Sequence, residues 1–301
     1  MSSQPDIDGS MTITPTSGLE APAREPDPKG PGSYLCVECS SCVREQAAYC
    51  AGCGARRPQD GWPPLAQCDD PWLGRRLDES YDVIQWLAEG AMSRIYRVRP
   101  LGQARDLVLK VNCVDADQLP GRSDVPLRAW PYREADAHDV LTNPHIVHIL
   151  DVIELHDGSA GLVMEYVEGS TIDELVRRRG PLRPSCALEI GRQAASGLHE
   201  AHRCNIVHRD IKPSNVMVET LADGEPLVRI LDFGIACRAG TRPTNGDFVG
   251  TPAYASPEQI RNGKLTPASD IYSLGAMIYY MLAGRAPFGS GPTSEVLQGH
   301  L

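Results

Sequence analysis

Large apolar residues are spread unevenly along the chain. Residues 1–33 have almost none and are rich in Pro, Ser, Thr, Gly and acid. Such a stretch cannot offset its ordering entropy by burial and reads as a disordered tail. Residues 34–57 are poor in apolar side chains but dense in cysteine. Residues 58–76 hold Pro58, Gly61, Pro63, Pro64, Pro71 and Gly74, the composition of a semi-rigid linker. From Leu77 the pattern changes to alternating apolar runs at Tyr81 to Leu87, Ile95 to Val98 and Leu107 to Val111, which predict successive strands with turns between them. The first of those turns contains Ala88-Glu89-Gly90-Ala91-Met92-Ser93. Tyr132 to Leu141 predicts a helix with Glu134 early in it, followed by Pro144 and the run His145 to Val152. Further on, Ile206-Val207 and Val216-Met217-Val218 flank the polar stretch His208-Arg209-Asp210-Ile211-Lys212-Pro213-Ser214-Asn215. Two short β-type runs around a polar loop make a rigid platform for chemistry. Asp270 heads an apolar helix, Ile271 to Ala283, which Ser273 and Gly275 interrupt and which is too short to span a bilayer.

Composition narrows this picture. The 301 residues suffice for a two-lobed domain plus a small module. With 3 phenylalanines, the core must rest on Leu, Ile, Val, Met and Ala. The net charge of −10 argues against general binding to nucleic acid or a membrane surface. The N-terminus lacks a charged-then-apolar signal pattern and no membrane segment is evident, so the chain reads as cytoplasmic. In that setting 10 cysteines point to metal rather than disulfides, above all because 5 of them fall between residues 36 and 53.

Those cysteines form two Cys-x-x-Cys knuckles. Each can place two thiolates on one metal, and the pair closes a tetrahedral four-thiolate site with no open position, hence structural. Zinc binding, worth about 10–16 kcal/mol in small zinc peptides, would supply the fold that the apolar residues cannot. Cys42 is an extra cysteine, and Cys39/Cys42 competes with Cys36/Cys39 as the first knuckle. Gly54, just past the second knuckle, suits a tight turn with positive φ. The stretch resembles a bacterial zinc ribbon, whose ten-residue spacing between knuckles selects Cys36, Cys39, Cys50 and Cys53 as structural zinc ligands. Elsewhere, Lys110 interrupts the apolar strand Val108-Leu109-Lys110-Val111. A strand lysine so placed either snorkels to solvent or meets an anion.

Residues 77–301 resemble a bacterial Hanks-type serine/threonine protein kinase. The resemblance runs in order through the Gly-containing turn, Lys110, Glu134 and Val163-Met164-Glu165-Tyr166-Val167-Glu168-Gly169. It continues through the loop at 208–215, Asp232-Phe233-Gly234, Gly250-Thr251-Pro252 to Ser256-Pro257-Glu258, and Asp270-Ile271-Tyr272-Ser273-Leu274-Gly275. One such motif is weak; the ordered set is specific. It implies an α+β, two-lobed kinase-like fold: a β-rich N-lobe with its hinge at 77–167 and an α-rich C-lobe at 168–301 lacking its last helices, preceded by the ribbon at 34–57.

By the same resemblance the chain is an ATP-dependent protein serine/threonine kinase acting on Ser/Thr hydroxyls of protein substrates, with ATP, Mg2+ and structural Zn2+ as cofactors. Such a reaction asks for positioning and charge neutralisation. Asp210 would orient the hydroxyl and accept its proton, and Lys212 would set a positive charge near the γ-phosphate. Lys110 would hold the phosphates and pair with Glu134, and Gly90 would lie over them. The backbone at Glu165 and Val167 would meet the adenine, beside Met164 as gatekeeper. Asp232 and Asn215 would bind Mg2+, a hard cation suited to oxygen ligands. Thr251 would contact Asp210 and Lys212, and Asp270 would anchor the backbone of the loop.

Three departures from the family pattern carry expectations. The glycine-rich turn is Ala88-x-Gly90-x-x-Ser93, which implies weakened ATP binding and makes a pseudokinase or scaffold the competing function. His138 stands where the family has Leu or Met. The chain lacks the C-terminal helix whose Arg pairs with Glu258. Arg209 calls for a counter-charge, in the family a phosphate on the activation segment, and Thr241 and Thr244 lie there. Autophosphorylation is expected at one of them. Phosphate mapping should find it, and Ala at both positions should lower activity.

Overall fold

The computed structural model describes residues 34–65, 70–90, 93–112, 140–155, 159–220, 225–233, 236–238, 240, 250–289 and 291–301. The calls on Glu134, His138, Gly234, Thr241 and Thr244, and on the disordered tail at 1–33, lie outside them.

The cysteine-rich stretch opens with a two-strand hairpin, β1 (Tyr34–Leu35) and β2 (Cys42–Val43), paired antiparallel. Its small core is Cys36, Val43, Cys50 and Trp62. Trp62 comes from the stretch expected to be a linker. Its indole donates to the Ala47 carbonyl at 2.8 Å, so this end of the stretch seals the ribbon.

The other end packs on the next unit. Asp70 Oδ1 accepts from the backbone N–H groups of Trp72 and Leu73 at 2.9 and 2.7 Å. The resulting turn buries both side chains against the first large sheet. That sheet contains β3 (Arg76–Leu77), β4 (Tyr81–Glu89), β5 (Ser93–Pro100), β6 (Leu107–Asn112), β7 (Ile149–Glu154) and β8 (Ala160–Glu165), in the order β3-β4-β5-β6-β8-β7 with every pair antiparallel. The three strands expected from the alternation are present, each longer than the apolar run. The alternation faces Val83, Val98, Leu109, Val111 and Val163 into one core. Tyr96 is wholly buried there, and its hydroxyl donates to Asp70 Oδ2 at 2.8 Å. Burial, then the neighbouring carboxylate, pushes its ionisation far up. Of the helix expected over Tyr132 to Leu141, residues 132–139 lie outside the described residues, and the last two are not helical. Val140 lies in a turn and Leu141 in irregular chain, with Leu141 buried in the core of the second lobe.

The second lobe begins with β9 (Gly169–Thr171) and α1 (Ile172–Arg179), whose N-terminus carries a complete capping box between Thr171 and Glu174. Gly169 is obligatory, because a Cβ there would lie 2.3 Å from the Val218 carbonyl oxygen. Next come α2 (Pro184–Arg203), β10 (Ile206–Val207), a 3-10 turn at 213–215, β11 (Val216–Thr220), β12 (Pro226–Ile230) and β13 (Cys237–Arg238). A 3-10 turn at 252–254 precedes α3 (Pro257–Ile260), α4 (Pro267–Ala283) and α5 (Thr293–His300). Helix α2 presents Ile190, Ala194, Leu198 and Ala201 to a core shared with Leu274, Met277 and Met281 of α4. The hairpin β11–β12 lies against α2, pinned by Gln193, which donates to the Pro226 carbonyl and accepts from the Val228 N–H. Glu258, expected to lack its family partner, accepts instead from the Ser269 hydroxyl at the start of α4. No helix among the described residues is long and apolar enough to cross a membrane.

Candidate active site and metal centre

The polar loop at 208–215 leaves β10 and enters β11, and three anchors fix its course. Asp270, buried at the start of α4, accepts the backbone N–H of His208 through Oδ2 and of Arg209 through Oδ1, both at 2.9 Å. His202, at the end of α2, lies 2.7 Å from Asp270 Oδ2. Gln259 donates to the Arg209 carbonyl at 2.7 Å. These contacts hold Arg209 at φ 73, a left-handed conformation unfavourable for a residue other than glycine. The His208 ring packs at a tilt against Phe233 with centroids 4.5 Å apart and contacts the Leu231 carbonyl at 2.9 Å. The loop is thereby tied to the segment that carries Asp232.

Three side chains converge on Asp210. Thr251 donates its hydroxyl to Asp210 Oδ1 at 2.7 Å, and Lys212 Nζ lies 2.6 Å from Oδ2 and 3.0 Å from the Thr251 hydroxyl. Asn215 donates its amide to the Asp210 carbonyl at 2.9 Å and to Oδ2 at 3.1 Å. With the amide nitrogen committed, the Asn215 side-chain oxygen Oδ1 is left as an acceptor. The β11–β12 register sets Val216 opposite Ile230, and the Leu231 N–H donates to the Asn215 backbone carbonyl at 2.8 Å. Asn215 and Asp232 therefore stand at one end of one hairpin.

The first lobe contributes Lys110 from β6. Its side chain is buried, and its ammonium lies 2.5 Å from Asp232 Oδ1. Asp232 is 44% exposed and sits at φ 58. The expected residues Asp210, Lys212, Asn215, Asp232 and Lys110 are thus brought into one cleft between the lobes. Glu165, at the end of β8, and Val167, just after it, lie on the connection between the lobes. The Glu165 N–H is bound by the His148 carbonyl at 3.1 Å. Gly90 closes the β4–β5 turn, its N–H donating to the Ser93 carbonyl at 2.8 Å. A Cβ on Gly90 would meet no atom closer than 3.7 Å, so the fold itself does not require glycine there.

His202 and Gln259 escaped the sequence reading. A signal for Gln259 existed in Ser256-Pro257-Glu258-Gln259, the spacing of a capping box, and the structure has that box. His202 offered only a basic residue in a last helical turn, which is commonplace.

In the cysteine-rich stretch, the ligand atoms of Cys36, Cys39, Cys50 and Cys53 lie within 4.8 Å of one another. The Cys36–Cys53 and Cys39–Cys50 sulfur separations are 3.7 and 3.6 Å. A disulfide would need about 2.05 Å, whereas a tetrahedron with zinc–sulfur bonds of about 2.3 Å has sulfurs about 3.8 Å apart. The spacing fits a metal. Cys42 is excluded from the cluster; its thiol points to the Val83 carbonyl on β4, 3.6 Å away. Burial raises the thiols of Cys50 and Cys53. Burial also opposes ionisation of Cys39, but hydrogen bonds from Ser41 and Cys53 outweigh it and hold that thiol below its ordinary value. Gly54 takes φ 77, as the turn after the second knuckle requires.

A family model described as the protein kinase domain matches residues 81–300. The chain is 34% identical over 238 residues to the serine/threonine-protein kinase pkn3 of Myxococcus xanthus, covering 77% of this chain and 43% of that protein. It is 35% identical over 231 residues to PrkC of Bacillus subtilis, covering 76% and 34%. Against PknL of Mycobacterium tuberculosis the identity is 38% over 222 residues, covering 73% and 53%. The chain thus spans between about a third and a half of the length of these relatives.

Two outcomes follow from the geometry. Asp270→Ala leaves two buried N–H groups and His202 unpartnered, and should lower unfolding stability by roughly 3 kcal/mol, read from the denaturant midpoint. Elemental analysis should find one equivalent of zinc in the wild type and loss of it in Cys50→Ser.

Proposed function

The chain belongs to the protein kinase domain family, and from that premise we propose that it is an ATP-dependent protein serine/threonine kinase. The observation that carries this reading is the set of contacts around Asp210. One carboxylate is held by a hydroxyl, an ammonium and an amide, beside a second carboxylate paired to a lysine from the other lobe. MgATP, when bound, supplies the transferable phosphoryl group and the cation that neutralises it.

The chain's own residues do the rest. Lys110 and Asp232, now paired, are opposite charges that the phosphates and the cation would each claim. Asn215 presents a carbonyl oxygen beside Asp232, so the donor set is the hard-oxygen kind that magnesium takes. Gly90 leaves the turn above them without a side chain in a place where folding alone tolerates one, which supports close approach to phosphate. Asp210 accepts the proton of the substrate hydroxyl as that oxygen bonds to the γ-phosphorus. The bond from the γ-phosphorus to its bridging oxygen breaks, and the electron pair leaves with ADP. Lys212 offsets charge at the transferring group. Its shared contact with Thr251 supports Ser/Thr specificity and a protein substrate laid along the 251–258 segment. The cysteine cluster is read as a structural zinc site.

The test is transfer of radiolabelled γ-phosphate from ATP with Mg2+ to a generic protein substrate. Asp210→Asn should lower the rate by at least about a hundredfold, the lower range for loss of a positioned general base. Equal rates would refute catalysis by this loop.

A further inference from the structure

The ribbon is attached to the strand that leads into the Gly90 turn. Edge strand β3 covers only the start of β4, pairing Arg76 with Asp82 and Leu77 with Tyr81. Beyond that point the outer edge of β4 is taken over by the first cysteine knuckle. Ser41 bridges antiparallel to Gln85, the Trp86 N–H donates to the Ser40 carbonyl at 3.3 Å, and the Gln85 amide donates to the Cys39 carbonyl at 2.8 Å. The knuckle thus acts as a strand added to an exposed edge.

The same three residues face the metal cluster on their other side. Cys39 is a candidate ligand, and the buried Ser41 hydroxyl lies 3.1 Å from its sulfur. Ser40 is held at φ 56 by the turn from Cys36. Gly52 of the second knuckle packs so closely that a Cβ would lie 2.3 Å from the Ser41 hydroxyl. On the inner side of β4, the ladder to β5 is irregular between Val83 and Gln85 and again between Trp86 and Ala88. Gln85 and Trp86, paired with Arg97 and Tyr96, are therefore a two-residue segment isolated between irregularities at Ile84 and Leu87, and the knuckle holds its outer edge. Such irregularities bend and twist a strand, so its course toward Glu89 and Gly90 depends on what holds the outer edge.

We propose that the ribbon is a metal-dependent element of the nucleotide site, with Gln85 as the positioning residue that transmits the state of the Cys39–Ser41 knuckle along β4 to the Gly90 turn. This rests on the reading of that turn as the nucleotide cover. With metal bound, the four sulfurs fix the knuckle and the knuckle fixes β4. Without it, the knuckle is no longer cross-linked to the second one, and the outer edge of β4 loosens. Because the coupling is thermodynamic, nucleotide must in turn tighten metal binding by the same factor.

The test uses the full chain, Zn2+ and the non-hydrolysable ATP analogue AMP-PNP with Mg2+. Metal-loaded wild type should bind the analogue about fivefold or more tightly than chelator-stripped wild type, the lower end of measured couplings. Saturating analogue should strengthen zinc retention against a colorimetric chelator by the same factor. Gln85→Ala should keep its equivalent of zinc while both effects fall below about twofold, since it removes the side-chain bond that ties β4 to the Cys39 carbonyl. Equal analogue affinity with and without zinc, or wild-type coupling in Gln85→Ala, would overturn the proposal. Should stripping unfold the chain, zinc retention in the loaded protein decides alone, and no effect of analogue on it is refutation. Failure of loaded wild type to bind the analogue at all would instead remove the nucleotide reading beneath the proposal.

Discussion

The buried carboxylate of Asp270 is the constraint on which the second lobe's chemistry depends. Its two oxygens accept consecutive backbone N–H groups, and this forces the chain at His208 and Arg209 to turn toward α4. An isolated ionised carboxylate in a protein core is costly; one that accepts hydrogen bonds on both oxygens is not. His202 at the end of α2 and Asp270 at the start of α4 bring two packed helices to one point. The loop hangs from that point. Its strained residue, Arg209 at φ 73, persists because Gln259 fixes the carbonyl that Asp270 leaves free to rotate. Asp210, one residue on, inherits its direction from this clamp.

The two halves of the cleft are held by different physics. Around Asp210 the contacts are all within the second lobe and mutually satisfied: Thr251, Lys212 and Asn215 each spend a donor on one carboxylate. Such a network is rigid in proportion to its completeness. The Lys110–Asp232 pair, by contrast, spans the lobes, and one of its partners is close to half exposed. Solvent screening limits what a pair of that kind adds to stability. It is the exchangeable part of the site, a rigid carboxylate platform facing a charge pair that can be parted.

How much of this was legible in the sequence follows from how local each feature is. The loop at 208–215 and Asp232 could be read because residues a few positions apart in sequence stay together in space. The strands around Lys110 could be read because alternation is local. Trp62 and Trp72 could not. A Pro- and Gly-rich segment looks like a linker, yet two tryptophans in it bury on different units, one on the ribbon and one on the sheet. Gln85 was equally silent, since a polar residue in a half-buried strand is what alternation predicts. What lies across the strand edge is a long-range fact. Cys42 shows the same limit. Spacing left it in competition with Cys36 for the first knuckle, and only the fold turns its thiol away to Val83.

The position of the ribbon changes how the chain's modules should be divided. A metal centre that served only its own fold would need the four cysteines and a covering side chain such as Trp62. It would not need Ser41 buried between the cluster and β4, a glycine at 52 to make room for that serine, or a glutamine on β4 reaching the Cys39 carbonyl. Those residues form a second face of the knuckle, directed at the kinase fold. A β-strand is stiff along its length but yields at its edges. Constraining the free edge of β4 next to its two irregularities is therefore an economical way to control the turn at its end. The first strand of the β4–β5 hairpin and the cysteine knuckle are better regarded as one mechanical unit that happens to be encoded by two sequence motifs.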